Sequence, residues 1–161
     1  MPIYSHNLIK VTIGTALMVE ADGYILRIST KEWVDQVFNL AIYYTSTRRK
    51  WNAGQTIIFV HKTNIGDAII GYGEIGNIYA SDELSEEERR ECEKWRWKKA
   101  IEFKYIIRFD KPLPIKETFL KSSKLRGRSL QGFPLNREQL NLIISQAEQL
   151  QSQKPLSHQK S

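Results

Sequence analysis

Trp51 directly follows Arg48, Arg49 and Lys50 and leads into an Asn52-Ala53-Gly54 turn, which sets an indole beside three cations. An indole offers a π-surface on which a nucleobase can stack, an interaction worth roughly 1–3 kcal/mol per base. Guanidinium groups grip phosphate bidentately, whereas a lysine acts as a point charge. Trp33 is a second aromatic of the same promise, close behind Ser29-Thr30-Lys31, and Thr45, Ser46 and Asn52 carry donors and acceptors for a base edge. Farther on, Arg126 and Arg128 flank Gly127, whose bare backbone lets main-chain N–H groups approach a phosphate. The base-binding candidates are therefore Trp33, Ser46 and Trp51. The backbone-binding candidates are Lys31, Arg48, Arg49, Lys50, Arg126 and Arg128. Each has a structural alternative: Trp33 as the first core residue of a helix, and residues 48–50 as a solvated basic loop.

Charge distribution favours an anionic partner. The 161-residue chain has a net charge of +6, and its acids are unevenly placed. Residues 36–66 contain no Asp or Glu, and neither do residues 119–137, whereas acids gather in Asp82–Glu93. Such segregation is the footprint of a surface that faces phosphates. The single cysteine, Cys92, excludes an internal disulfide, and the three histidines are scattered, so neither a metal site nor another cofactor is expected. Catalytic signatures are missing too: there is no nucleophile elbow, Walker loop, His-Glu-x-x-His or dinucleotide fingerprint. No apolar run approaches the roughly 20 residues that span a bilayer, and no leader-like start is visible, which makes the cytoplasm the expected compartment.

The elements that must position these residues can be read from periodicity. Residues 1–20 alternate weakly. Tyr24 to Ile28 reads as a strand with Tyr24, Leu26 and Ile28 on one face, and Ser29 or Thr30 caps a helix whose stripe is Trp33, Val37 and Phe38 or Leu40. Thr56 to Val60 is a buried strand and Ala68 to Ile75 its partner. Gly71, Gly73 and Gly76 in and after that partner imply bends or bulges of the kind a small barrel needs. Ser85 and Glu88 form a capping box that opens a helix to about Lys99. Trp95 and Trp97, two apart, cannot share a helix face, so one packs inward and the other is exposed or marks the helix end. Phe103 to Phe109 alternates as a strand halted at Lys111-Pro112, and Asn136 caps a final helix through Ala147. The expectation is one α+β domain over residues 1–147, a small mixed β-barrel with flanking helices, and a disordered tail over 148–161.

Gly54-Gln55-Thr56-Ile57-Ile58-Phe59-Val60-His61, followed by Ile69-Ile70-Gly71-Tyr72-Gly73-Glu74-Ile75, resembles a pattern of the PUA-like superfamily. The resemblance is strongest to EVE domains, relatives of the YTH and ASCH domains, with Gln55 where Asp is usual. Arg126-Gly127-Arg128 and the helix from Asn136 also match the way such domains close. The resemblance implies binding of RNA, or of a modified base in RNA or DNA, rather than catalysis. It also implies a base pocket near the end of the first strand and the following helix. By position, this places Ser29–Lys31, Trp33 and Thr45–Trp51 at the pocket. Two alternatives stand beside it. One is an ASCH-like enzyme acting on a nucleoside or amide through a Lys and a carboxylate, either Lys31 with Glu32 or Lys62 with Glu74. The other is a protein adaptor that uses the acidic 82–93 segment.

Overall fold

The computed structural model describes residues 21–47, 49–123, 125 and 127–153. Residues 1–20, read above as weakly alternating, lie outside the described residues, as do Arg48, Arg126 and the tail from Lys154.

Strand β1 (Gly23–Ile28) leads through Thr30 into helix α1 (Lys31–Leu40), with the Thr30 hydroxyl accepting from the free Trp33 N–H of the first turn. Leu40 ends the helix because Ala41 adopts a left-handed conformation at φ 57°. The chain then forms β2 (Ile42–Thr45), a strand that the periodicity above did not mark. Next come β3 (Thr56–Thr63) and β4 (Gly66–Ala80), then α2 (Glu86–Trp95), β5 (Lys99–Pro114), β6 (Pro134–Leu135) and α3 (Arg137–Gln151). The Asn136–Gln139 capping box opens α3, and the helix runs past Ala147 to Gln151. The Gln151 side chain bonds both backbone groups of Lys111.

The six strands lie in the order β2-β5-β4-β3-β1-β6, with β1 and β3 parallel and every other pair antiparallel. The α+β class holds, but the expected barrel does not close. Among the described residues no ladder joins β2 to β6, because β6 has only two residues to offer. The β4–β5 ladder bends at three register shifts, between Ile69 and Gly71, Glu74 and Ile75, and Ile75 and Asn77, so Gly71 and Gly76 sit at bulges as expected, whereas Gly73 pairs in register with Ile106. Strand β5 is longer than its alternation implied, beginning at Lys99 and passing through Pro112.

Both faces of the sheet are covered. Ile25, Ile58, Val60 and Ile69 pack with Leu140, Ile143 and Ala147 of α3. Tyr24, Leu26, Ile57 and Phe59 pack on the opposite face with Val34 and Val37 of α1. Burial on both faces explains why β1 and β3 read as nearly unbroken apolar runs. In α1 the inward stripe is Val34 and Val37, with Phe38 partly covered, while Leu40 remains exposed.

Candidate functional site

The unclosed edge of the sheet creates the site. Strands β2 and β6 lie at opposite ends of the strand order, yet side chains tie their neighbourhoods together. Gln131, just ahead of β6, donates from Nε2 to the Tyr43 hydroxyl of β2 at 3.4 Å. Arg49 reaches across to donate to the Gly132 carbonyl at 3.0 Å. The two acid-free stretches, 36–66 and 119–137, therefore meet at one seam. A pocket of about 190 Å³ opens there. The end of β1 (Arg27, Ile28, Ser29), α1 (Trp33, Gln36) and β2 with its exit (Tyr43 to Thr47) line it, and Trp97 and Gln131 complete the wall.

The aromatic wall comes from three separate places. Trp33 stands on the first turn of α1, held by the Thr30 cap. Tyr44 stands on β2. Trp97 arrives from the β4–β5 connection because α2 stops at Trp95, short of Lys99, with Arg96 in a left-handed cap at φ 62°. That reversal lets two residues only two apart in sequence meet as neighbours. Trp95 and Trp97 stack with centroids 5.9 Å apart, and Trp97 lies nearly parallel to Tyr44 at 4.9 Å. As expected, the pair is divided: Trp95 is exposed and Trp97 half-buried. Trp33 meets Trp95 at 5.3 Å and Trp97 at 5.9 Å in T-shaped contacts.

Polar groups are distributed around this wall. Ser29, Ser46, Thr47 and Gln36 line the pocket. The Thr45 hydroxyl is turned to local structure, accepting from the Thr47 N–H at 3.1 Å. Arg27 is not a free cation: it pairs with Asp67 at 3.0 Å, and the same carboxylate accepts from the Gly127 N–H at 3.1 Å. Burial pushes the Tyr43 phenol up, with the bond to Gln131 opposing that rise. The Tyr44 phenol, at 3.0 Å from Glu88, is pushed up to about 12 by burial first and then by the Glu88 hydrogen bond and charge. Since its ordinary value is 10.0, its contribution to stability is complete below about pH 10 and is lost as pH rises toward 12. In an alkaline titration followed by tyrosinate absorbance, the phenol that ionises at about 12 is expected to vanish in Tyr44→Phe, leaving the smaller rise at Tyr43. In Glu88→Gln the Tyr44 phenol should move back toward 10.

The structure separates the candidate residues into groups. Trp33 and Ser46 line the pocket. Trp51 does not: it is 4% exposed and packs edge-on against Tyr24 at 5.4 Å, with no partner for its Nε1 among the described residues. Its apolar ring completes the core face that holds Leu26 and Ile57, which leaves no open face for stacking. Arg49 is also turned inward, its guanidinium 4.2 Å from the Tyr24 ring and bonded to Gly132, so it fastens the seam rather than facing solvent. Lys50 and Arg128 are exposed near the seam and Lys31 is exposed at the start of α1; none has an ion-pair partner among the described residues. The positions of Arg48 and Arg126 lie outside the described residues.

Tyr43, Tyr44 and Gln131 were not singled out from sequence, whereas Trp97, with Trp95 among Lys94, Arg96, Lys98 and Lys99, was weighed as nucleic-acid chemistry against an amphipathic helix and not placed in the pocket. The β-prone run Ile42-Tyr43-Tyr44-Thr45 was the available signal for two of them. Of the suggested Lys–carboxylate pairs, Lys62 and Glu74 are at opposite ends of the β3–β4 ladder, since Lys62 faces Asp67 and Thr56 faces Glu74. Glu74 instead has Lys104 at 3.9 Å.

No family model matches the chain, and no curated protein sequence matches it. Solved structures do resemble it. The ASCH protein from Zymomonas mobilis aligns over 75% of this chain and 92% of its own, with 12% identity and a TM-score of 0.54. A hypothetical protein from Leishmania major aligns over 83% of this chain and 98% of its own, with 18% identity and a TM-score of 0.56. A YTH domain from Zygosaccharomyces rouxii, solved in complex with N6-methyladenosine RNA, aligns over 82% and 85%, with 14% identity and a TM-score of 0.47. What the chain shares with the first two is the fold. No helix among the described residues is long and apolar enough to cross a membrane.

Proposed function

We propose that this chain, a protein of PUA-like fold, is a nucleic-acid-binding module that holds one base of RNA, or a modified nucleotide, in the seam pocket. The observation that carries this reading is the pocket itself: about 190 Å³, with an aromatic wall on one side and hydroxyl and amide groups on the other. That volume is below the roughly 300–1,000 Å³ of drug-sized ligand sites and suits a single flat ring. Trp33 is the stacking group. Trp97, backed by Tyr44, fixes the wall, and Ser46, Thr47 and Gln36 read the base edge.

The phosphates flanking a base in this pocket would meet Lys50 and Arg128 on one side and Lys31 on the other, with Arg48 and Arg126 as further proposed contacts. Arg49 serves the site indirectly, by holding Gly132 and hence the Gln131 side of the pocket in place. An enzymatic reading gains no support from the Lys62–Glu74 pair, whose members are too far apart for shared proton transfer.

The test is a binding screen of modified and unmodified oligonucleotides at two salt concentrations. Affinity is expected to fall with salt, because each neutralised phosphate releases counterions. Lys50→Ala combined with Arg128→Ala should weaken binding about equally across sequences and reduce the log–log salt slope by roughly 2. A salt-independent interaction, or a slope unmoved by the double change, defeats the proposal.

A further inference from the structure

The aromatic wall has a second side with different chemistry. Behind Trp33, Tyr44 and Trp97, away from Ser46 and Gln131, runs a groove of about 380 Å³ lined also by Leu40, Trp95 and the carboxylate residues Glu87, Glu88 and Glu91. Glu87, Glu91 and Trp95 follow one another at four-residue spacing along α2, which puts them on one stripe of the helix. Glu87 and Glu91 are exposed, and neither has an ion-pair partner among the described residues, where the pair within α2 joins Glu86 to Arg90. Like charges four residues apart on a helix repel each other, a repulsion that an arriving cation would remove.

Three features make this groove a place for a cation. Trp95 is 44% exposed and Leu40 is 56% exposed, so large apolar side chains are open to solvent beside the carboxylates. The Tyr44 hydroxyl donates to Glu88, which raises the electron density of a ring already suited to a positive partner. The chain also brings a cation of its own to this cluster: Lys94 Nζ lies 5.5 Å from the centre of the Trp95 ring. Phosphate would be repelled here. Residues 82–93 carry seven of the eighteen acids of a chain whose net charge is +6, so this is where its electrostatics favour a basic partner rather than nucleic acid.

We infer that the outer groove between α1 and α2 docks a lysine- or arginine-bearing segment of a protein partner, seating one cationic side chain among Trp95, Tyr44 and the Glu87–Glu91 stripe. The inference does not depend on what occupies the seam pocket. Aromatic and aliphatic surface takes the side-chain stem, and the carboxylates take the charged head.

Isothermal titration calorimetry of the full chain with hexalysine, with spermine as a non-peptide cation and hexaglutamate as the reversed charge, tests it. Hexalysine is expected to bind saturably, and any heat from hexaglutamate, which the basic seam can supply, should be unchanged by Trp95→Ala and by Glu87→Gln with Glu91→Gln. Trp95→Ala and, separately, Glu87→Gln with Glu91→Gln should each weaken hexalysine by about tenfold. The glutamine pair lies on an exposed helix face, which keeps the test valid if Trp95→Ala disturbs folding. Binding that responds to the glutamine pair but not to Trp95→Ala would mean diffuse surface attraction and would overturn the inference. So would spermine binding as tightly as hexalysine with the same dependence on both changes, because the groove would then be a site for small free cations. Glu87→Gln with Glu91→Gln should leave oligonucleotide affinity undiminished, which keeps failure here distinct from failure at the seam pocket.

Discussion

Gly71→Ala is expected to destabilise the protein by about 3 kcal/mol, a fall in Tm of roughly 10 °C for a domain of this size. A methyl group built on Gly71 would collide with the Ile107 carbonyl oxygen and stand 2.6 Å from Cζ of Phe38. The first is backbone of the neighbouring strand and cannot step aside without breaking the β4–β5 ladder. The second is the ring by which α1 rests on the sheet, wedged against Phe59 at 5.4 Å and covered by Arg108 at 5.1 Å. The damage therefore travels to the site, since α1 also carries Trp33. Pairing Gly71→Ala with Phe38→Leu should restore only part of the loss, because the carbonyl contact remains. Thermal unfolding of the single and double variants is the measurement. A shift of a degree or two for Gly71→Ala would show that the close approach is not real.

Trp33→Ala is expected to lower affinity for the preferred oligonucleotide by about 5- to 150-fold, the range corresponding to one lost base stack. The size of this effect follows from the geometry of the wall. Trp97 is already stacked on Tyr44, whereas the ring contacts of Trp33 with Trp95 and Trp97 are T-shaped, so parallel stacking there falls to a base. Trp33→Phe should retain most of the affinity, since it keeps a π-face on the same helix turn. The loss should be selective, much smaller for oligonucleotides that lack the preferred base, in contrast to the uniform loss from the Lys50 and Arg128 changes. Fluorescence anisotropy of labelled oligonucleotides separates the two patterns. If Trp33→Ala stays folded by near-ultraviolet circular dichroism and binds as well as the parent, the seam pocket is not a base site.

Where local pattern and local chemistry agree, the sequence was readable. Thr30, Ser85 and Asn136 cap helices as their side chains dictate, and each accepts from the backbone N–H three residues on. The alternation of Tyr24, Leu26 and Ile28 marked one core face correctly. Helix ends were less legible. α2 was expected to continue to about Lys99, yet it stops at Trp95 with a non-glycine residue, Arg96, in the left-handed cap. That ending is bound up with contacts from elsewhere: Lys98 donates to the Thr45 carbonyl, and Trp97 lies on Tyr44.

The candidate site divides along the same line. Trp33 and Ser46 were visible because they flank a cap and a basic loop. Trp51 looked like their companion, since an indole beside three cations has the composition of a binding loop. Composition does not say which way a ring faces, and the fold turned Trp51 into the core against Tyr24. Arg49 was drawn in with it, its guanidinium shared between an aromatic ring and the Gly132 carbonyl. The pocket's remaining walls, Tyr43, Trp97 and Gln131, lie 34 to 88 residues apart along the chain, and nothing local connects them.

The sequence by itself determined the class of the fold, most of the strands and helix caps, and the segregation of charge into basic and acidic stretches. These depend on the identity of a residue and its near neighbours. Tertiary structure alone decided that the sheet stays open between β2 and β6, that the two acid-free stretches meet at that opening, and that a single aromatic wall faces a polar pocket on one side and a carboxylate groove on the other. The physical reason is that closure, burial and ring orientation are properties of contacts between residues distant in sequence. Periodicity records which face of an element is apolar, but not what that face will meet.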